Sequence, residues 1–143
     1  MVPQRCIDFA NNNTTCYLAT IDGDQPRVRA FQLWFADADG FHFITLSGKP
    51  VCSQLKGHPL VEVCFFNNKE GDDALMMRVS GRLRFERDAE TRRKALESRA
   101  RAQKYVKGPE DEQFQVFTLY TGEAFFWTFS DILKERQLQR LPL

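Results

Sequence analysis

At 143 residues the chain suits one domain and leaves no room for two independent cores. Lys and Arg total 20 against 19 for Asp and Glu, and a net charge of +1 supplies no global field for nucleic acid or an anionic membrane, so any anion site is local. Apolar residues make up 43% with 13 Phe among them, too rich for disorder, and no apolar run approaches the roughly 18 residues of a membrane span.

Residues 2–13 place Val2, Cys6, Ile7, Phe9 and Ala10 at helical spacing before a polar stop at Asn11, Asn12 and Asn13, which predicts a leading helix. The rhythm then changes to β-rich runs at 15–21, 27–35 and 41–46, separated by the turn-forming segments 22–26 and 36–40. Ser47-Gly48-Lys49-Pro50 follows, and 50–56 predicts two helical turns with Pro50 in the first and Gly57 at the end. A β-branched and aromatic run at 60–67 precedes a long half-buried strand at 74–87, where Met77, Val79, Gly81, Leu83 and Phe85 share one face. Asp88 caps a helix predicted to run to Tyr105, before Gly108-Pro109. Two last strands, 114–121 and 124–129, are predicted to meet at Gly122-Glu123, and the tail 131–143 carries Ile132, Leu133, Leu138 and Leu141 on a helix-like pattern. About seven antiparallel strands without crossover helices predict a mainly β domain whose sheet closes into a small barrel spanning 15–129, with a helix inserted at 88–105.

The four cysteines lack C-x-x-C spacing and the amino terminus lacks a secretory apolar stretch, so free thiols in a reducing cytoplasm are expected. No metal site is expected, because His42 and His58 share no ligand motif. His42 lies between Phe41 and Phe43, points away from their face and is read as structural. The basic residues of the inserted helix, Arg92, Arg93, Lys94, Arg99, Arg101 and Lys104, interleave with Glu90 and Glu97 and read as a solvated, ion-paired face rather than a nucleic-acid stripe.

Chemistry concentrates in two places. Arg27 and Arg29 fall on one side of a strand, roughly 6.6 Å apart, a spacing at which two guanidinium forks can grip a phosphate. Thr45-Leu46-Ser47-Gly48-Lys49 ends a strand with two hydroxyls and an ammonium just before a helical turn. With 27–31 and 41–45 as hairpin partners, both clusters share one neighbourhood. Pattern alone leaves equally open that these are ordinary solvated side chains.

Thr15-Cys16-Tyr17-Leu18-Ala19-Thr20, Pro26-Arg27-Val28-Arg29, Phe41-His42-Phe43-Ile44-Thr45 with Ser47-Gly48-Lys49-Pro50, and Arg78-Val79-Ser80-Gly81 together resemble the pyridoxamine 5'-phosphate oxidase-like family of FMN-binding split barrels, in its small uncharacterised branch. The resemblance covers nearly the whole chain. It implies a six- to seven-stranded antiparallel split barrel, a homodimer, and FMN in a groove at the subunit interface. It also implies that Arg29, Ser47 and Lys49 hold the phosphate and that Thr45 contacts the cofactor, with Arg27, Phe31 and Ile44 added by adjacency. Two departures argue against pyridoxamine phosphate as substrate. Leu75-Met76-Met77 stands where the true oxidase has a flavin-contacting glutamine, and Phe125-Phe126-Trp127-Thr128-Phe129 replaces its terminal arginine and histidine. Trp127 is a candidate to cover the partner's flavin, although an aromatic strand also reads as core. The expected function is an FMN-dependent oxidoreductase using NAD(P)H and a small-molecule acceptor. The alternatives are a non-enzymatic FMN-binding or redox-sensing protein, or a relative holding haem or deazaflavin.

Overall fold

Alternation governs the sheet: strand β1 (Thr15–Asp22) buries Cys16, Leu18 and Thr20 and turns Thr15, Tyr17 and Ala19 outward. The structure, a computed structural model, describes residues 1–143. The other strands are β2 (Gln25–Asp37), β3 (Gly40–Leu46), β4 (Leu60–Phe66), β5 (Met76–Glu86), β6 (Phe114–Trp127) and β7 (Leu141–Pro142). Three α-helices, α1 (Gln4–Asn12), α2 (Pro50–Gly57) and α3 (Ala89–Glu97), complete the regular elements. All pairings are antiparallel in the order β3-β2-β1-β4-β5-β6-β7, and β3 also pairs with β6. The first six strands therefore close into a barrel, which removes their free edges. No helix is long and apolar enough to cross a membrane.

Side chains fill the interior. Phe41, Phe43, Phe65, Phe117, Leu18, Leu33, Val63, Met77, Val79 and Leu119 are all buried there. Helix α1 adds Cys6 and Ala10 to this core and Val2, just before it, joins them, and the Asn11 amide bonds both the N–H and the C=O of Ala36, as a neighbouring strand would. Helix α2 contributes Val51 and Leu55. The four cysteines are unpaired thiols. His42 is buried against solvent, stacked on Phe35 and bonded to Thr118 and Asp37.

Three expectations are corrected. The two last strands are one continuous β6, because Gly122 does not make a turn. It faces Gly81 across the β5–β6 ladder, where a Cβ on either residue would fall on the carbonyl oxygen of Thr121 or Ser80. The glycines permit a close backbone crossing at a bend of the barrel. The inserted helix ends at Glu97 rather than near Tyr105. Leu96 is its last buried apolar residue, and beyond it the chain forms a short turn, Ala102–Lys104. The tail is not helical: it makes tight turns at Phe129–Asp131 and Glu135–Gln137, then adds β7 beside β6. Ile132 and Leu133 stand 67% and 93% exposed, so the apolar pattern there finds no surface on which to bury a helix face.

Candidate functional site

The barrel opens where β2 changes partner. Residues 25–32 of this strand pair with β1, whereas Leu33 to Asp37 pair with β3, with a register shift between Leu33 and Phe35. The expected pairing of Arg27–Phe31 with Phe41–Thr45 does not occur: Arg27, Arg29 and Phe31 lie opposite Thr20, Leu18 and Cys16. Strand β3 pairs with β2 only as far as Phe43, and Ile44, Thr45 and Leu46 are paired with β6 alone. The Ser47 N–H donates to the Gln113 carbonyl on the β6 side. By the two-residue alternation of an antiparallel strand, the backbone groups of Ile44 therefore face the gap beside β2.

A cavity of about 470 Å³ occupies this gap, a volume within the usual range of small-molecule sites. Phe31 comes from β2, Ile44 and Thr45 from β3, and Lys49 from the turn before α2. Four of the sequence-predicted residues thus share one wall. The Lys49 ammonium lies 5.6 Å from the centre of the Phe31 ring. Thr45 points inward and is only 4% exposed, and its Oγ1 is buried without a hydrogen-bond partner. An unsatisfied buried hydroxyl costs about 1–2 kcal/mol. It is the one such side-chain atom in the chain, and it belongs to a residue that lines this cavity.

Arg29 stands beside the cavity, two residues before Phe31 on the same strand face. Its guanidinium donates to the Leu18 carbonyl at 3.2 Å, the Thr20 hydroxyl at 2.6 Å and Gln54 Oε1 at 2.7 Å. All three acceptors are neutral. Burial, and then the nearby charge of Arg27, push the Arg29 guanidinium below its ordinary value, yet an arginine stays charged. Arg27 instead turns to Asp22 at 3.3 Å on the exposed hairpin. Ser47 lines a separate groove with Lys56, Arg87 and Arg92 and not this cavity. Trp127 lies outside the cavity at the far end of β6, with its ring edge against Phe129 at 5.2 Å.

The sequence reading missed the opposite wall. Arg99, Arg101, Ala102 and Tyr105 come from the irregular segment after α3, and Thr15 and Gln32 from the outer face of β1 and β2. Arg99 donates to the Leu33 carbonyl at 3.0 Å, which fastens this segment at the point where β2 changes partner. The ion-paired face expected of the inserted helix is confined to Arg93 and Lys94, which pair with Glu90 and Glu97. Arg92 is buried and bonds the Pro109 and Asp111 carbonyls. One signal could have singled out Arg99: no acid stands three or four positions from it in either direction.

Lys49, Arg99 and Arg101 bring positive charge to a cavity that no Asp or Glu lines, and none of them has a carboxylate partner within 4 Å. Such an arrangement suits an anion with a flat or apolar body: cations stand on the walls, with Phe31, Ile44 and Tyr105 between them.

Comparison with solved structures gives the same architecture. A NimC/NimA family protein from Clostridium acetobutylicum is 26% identical, with a TM-score of 0.76 over 98% of this chain and 92% of the other. A pyridoxamine 5'-phosphate oxidase-related, FMN binding protein from Nostoc punctiforme is 15% identical, with a TM-score of 0.73 over 100% and 97% of the two chains. PhzG from Burkholderia lata 383, in complex with tetrahydrophenazine-1-carboxylic acid, is 16% identical, with a TM-score of 0.72 over 98% and 89%. No curated protein matches the chain. The family model described as pyridoxamine 5'-phosphate oxidase matches residues 2–128. Barrel, motifs and match agree, and the chain belongs to the pyridoxamine 5'-phosphate oxidase family.

Proposed function

We propose that this protein binds FMN in the gap between β2 and β3 and works as a homodimeric flavin-dependent oxidoreductase. The observation that carries the reading is the set of carboxylate-free cations around one cavity, with the partnerless Thr45 hydroxyl buried in a residue of its lining. The residues fit the group. Lys49 and Arg29 suit its phosphate, Thr45 has a hydrogen bond to give, and Phe31 and the Ile44 backbone suit the edge and face of a ring. Bound FMN would supply hydride and electron transfer; the chain's own groups hold it, orient it and keep water from one side. Arg99 and Arg101 add more positive charge than one phosphate requires, which favours an anionic second ligand such as NAD(P)H or an acidic acceptor. Leu75-Met76-Met77 carries no amide where the true oxidase has its glutamine, and Phe125-Phe126-Trp127-Thr128-Phe129 stands in place of its arginine and histidine pattern, so pyridoxamine phosphate is not the proposed substrate.

Packing supports the homodimer. The barrel interior is filled by side chains, so the ring must lie outside it. Tyr17, Ala19, Val28 and Ala30 share an outer face, with Val28 71% exposed, and Thr15, Ala30 and Gln32 carry that face to the cavity. A second copy seated there would bury apolar surface and close the open side of the site.

The test is the absorption spectrum and mass of ligand released from purified protein, together with its size in dilute solution. Retained FMN, lost in Lys49→Ala and Arg29→Ala, supports the reading. Haem, a deazaflavin, or equal retention in both variants overturns it. Reduction of the bound flavin by NADH or NADPH, with turnover on adding an acceptor, separates the enzyme from a binding or sensing protein.

A further inference from the structure

Arg29 is held by a device that keeps its charge available. Gln54, on the second turn of α2, is 9% exposed and Thr20, on β1, is 2% exposed, so both are polar groups taken out of water. Gln54 Oε1 accepts from Arg29 Nη2 and from the Thr20 hydroxyl, each at 2.7 Å, while Thr20 Oγ1 accepts from Arg29 Nη1 at 2.6 Å. The three groups form a closed ring across β2, β1 and α2. Only the oxygen end of the Gln54 amide can serve here, because an arginine donates and never accepts.

A guanidinium has five N–H groups, and here three are used, on Leu18, Thr20 and Gln54. The Nε–H and one Nη2–H are left over. A carboxylate in place of Gln54 would fix the side chain equally well and neutralise it. The amide and the hydroxyl fix it with dipoles alone, so the full positive charge and two aligned donors stay free for an anion. Partial burial strengthens whatever interaction that charge then makes.

We infer that Gln54, with Thr20, is a positioning residue that aims Arg29 at the phosphate of the flavin nucleotide and so makes the site prefer FMN to riboflavin. This rests on the FMN reading above. It adds that the preference is set by a neutral second layer that touches no ligand.

The experiment titrates apoprotein with FMN and with riboflavin, following quenching of flavin fluorescence, and compares the two dissociation constants. Riboflavin shares the ring and lacks the phosphate, so a merely structural role moves both constants together. In Gln54→Leu the FMN constant is expected to rise about tenfold with little change for riboflavin, and no further loss is expected when Arg29 is already alanine. Gln54→Glu keeps the ring closed and adds an ion pair. Its thermal midpoint is expected to stay at or above wild type while the FMN preference still falls, an outcome no folding defect produces. Equal losses for both ligands, an undiminished preference in Gln54→Glu, or a Gln54→Leu effect that persists without Arg29 would each overturn the inference. Wild-type protein that binds neither flavin, or binds both equally, would overturn the FMN reading itself.

Discussion

Thr45→Val is the sharpest perturbation of the site because stability and binding should move in opposite directions. The substitution keeps the branched shape, so the packing of β3 is preserved, and exchanges a buried hydroxyl that has no partner for a methyl group. Removing an unsatisfied buried O–H recovers about 1–2 kcal/mol in the ligand-free protein. For a domain of this size each kcal/mol moves the melting temperature by about 3 °C. Ligand-free Thr45→Val should therefore melt roughly 3–6 °C above wild type. If the hydroxyl exists to contact FMN, its loss weakens binding about tenfold, which removes about 1.4 kcal/mol of ligand-induced stability at saturating FMN. Thermal unfolding followed by circular dichroism, with and without FMN, reads both effects. A variant that melts below wild type without ligand would show that the hydroxyl is satisfied in the native state. An unchanged rise on adding FMN would show that it does not contact the cofactor. Either result refutes the reasoning.

Other perturbations test the fold beneath the site. Gly81→Ala should cost about 2–3 kcal/mol in urea unfolding because its Cβ meets the Thr121 carbonyl. Gly122→Ala should cost more, since a φ of 147° adds backbone strain of about 1–3 kcal/mol; an alanine at either position within about 0.5 kcal/mol of wild type would contradict the close crossing. Burial alone would raise the Asp37 carboxyl, but hydrogen bonds from His42 and from the Asp39 and Gly40 amides outweigh it and hold the group below its ordinary value. A carboxyl lowered by folding stabilises the native state above the unfolded value of about 3.9 and loses that contribution as pH falls through the folded value. Wild type should therefore exceed Asp37→Asn in stability near neutrality, with the gap closing in acid; a gap independent of pH would exclude the carboxylate as its cause. Burial, and secondarily Cys64, push the Cys16 thiol up to about 12, so alkylation at neutral pH followed by mass analysis should leave Cys16 unmodified until the protein unfolds.

Local periodicity carried most of the architecture. The alternation of Cys16, Leu18 and Thr20, and of Met77, Val79 and Leu83, marked half-buried strands, and the turn residues at 22–26 and 36–40 marked antiparallel hairpins. Phe31, Ile44, Thr45 and Lys49 were legible as a group because two short segments carried both the residue types and the order of a known family. Both signals reside within a few neighbouring residues, where strand geometry alone fixes which side chains share a face.

The rest needed the third dimension. Glycine reads as a turn in sequence, and only the juxtaposition of Gly81 and Gly122 shows that it serves a close crossing inside one long strand. Arg99 and Arg101 read as a solvated helix face until the chain leaves the helix after Glu97 and Arg99 reaches the Leu33 carbonyl, 66 positions away in sequence. Likewise, Arg29 and Arg27 look equivalent on their strand, yet Gln54 fixes the first beside the cavity and Asp22 draws the second to the surface. The amino-acid order by itself determined the strands and their inward faces, since these follow from backbone geometry at short range. Where the barrel opens, and which charges line the opening, was decided by β2 changing partner at Leu33, a choice that depends on long-range pairing energy and leaves no local mark.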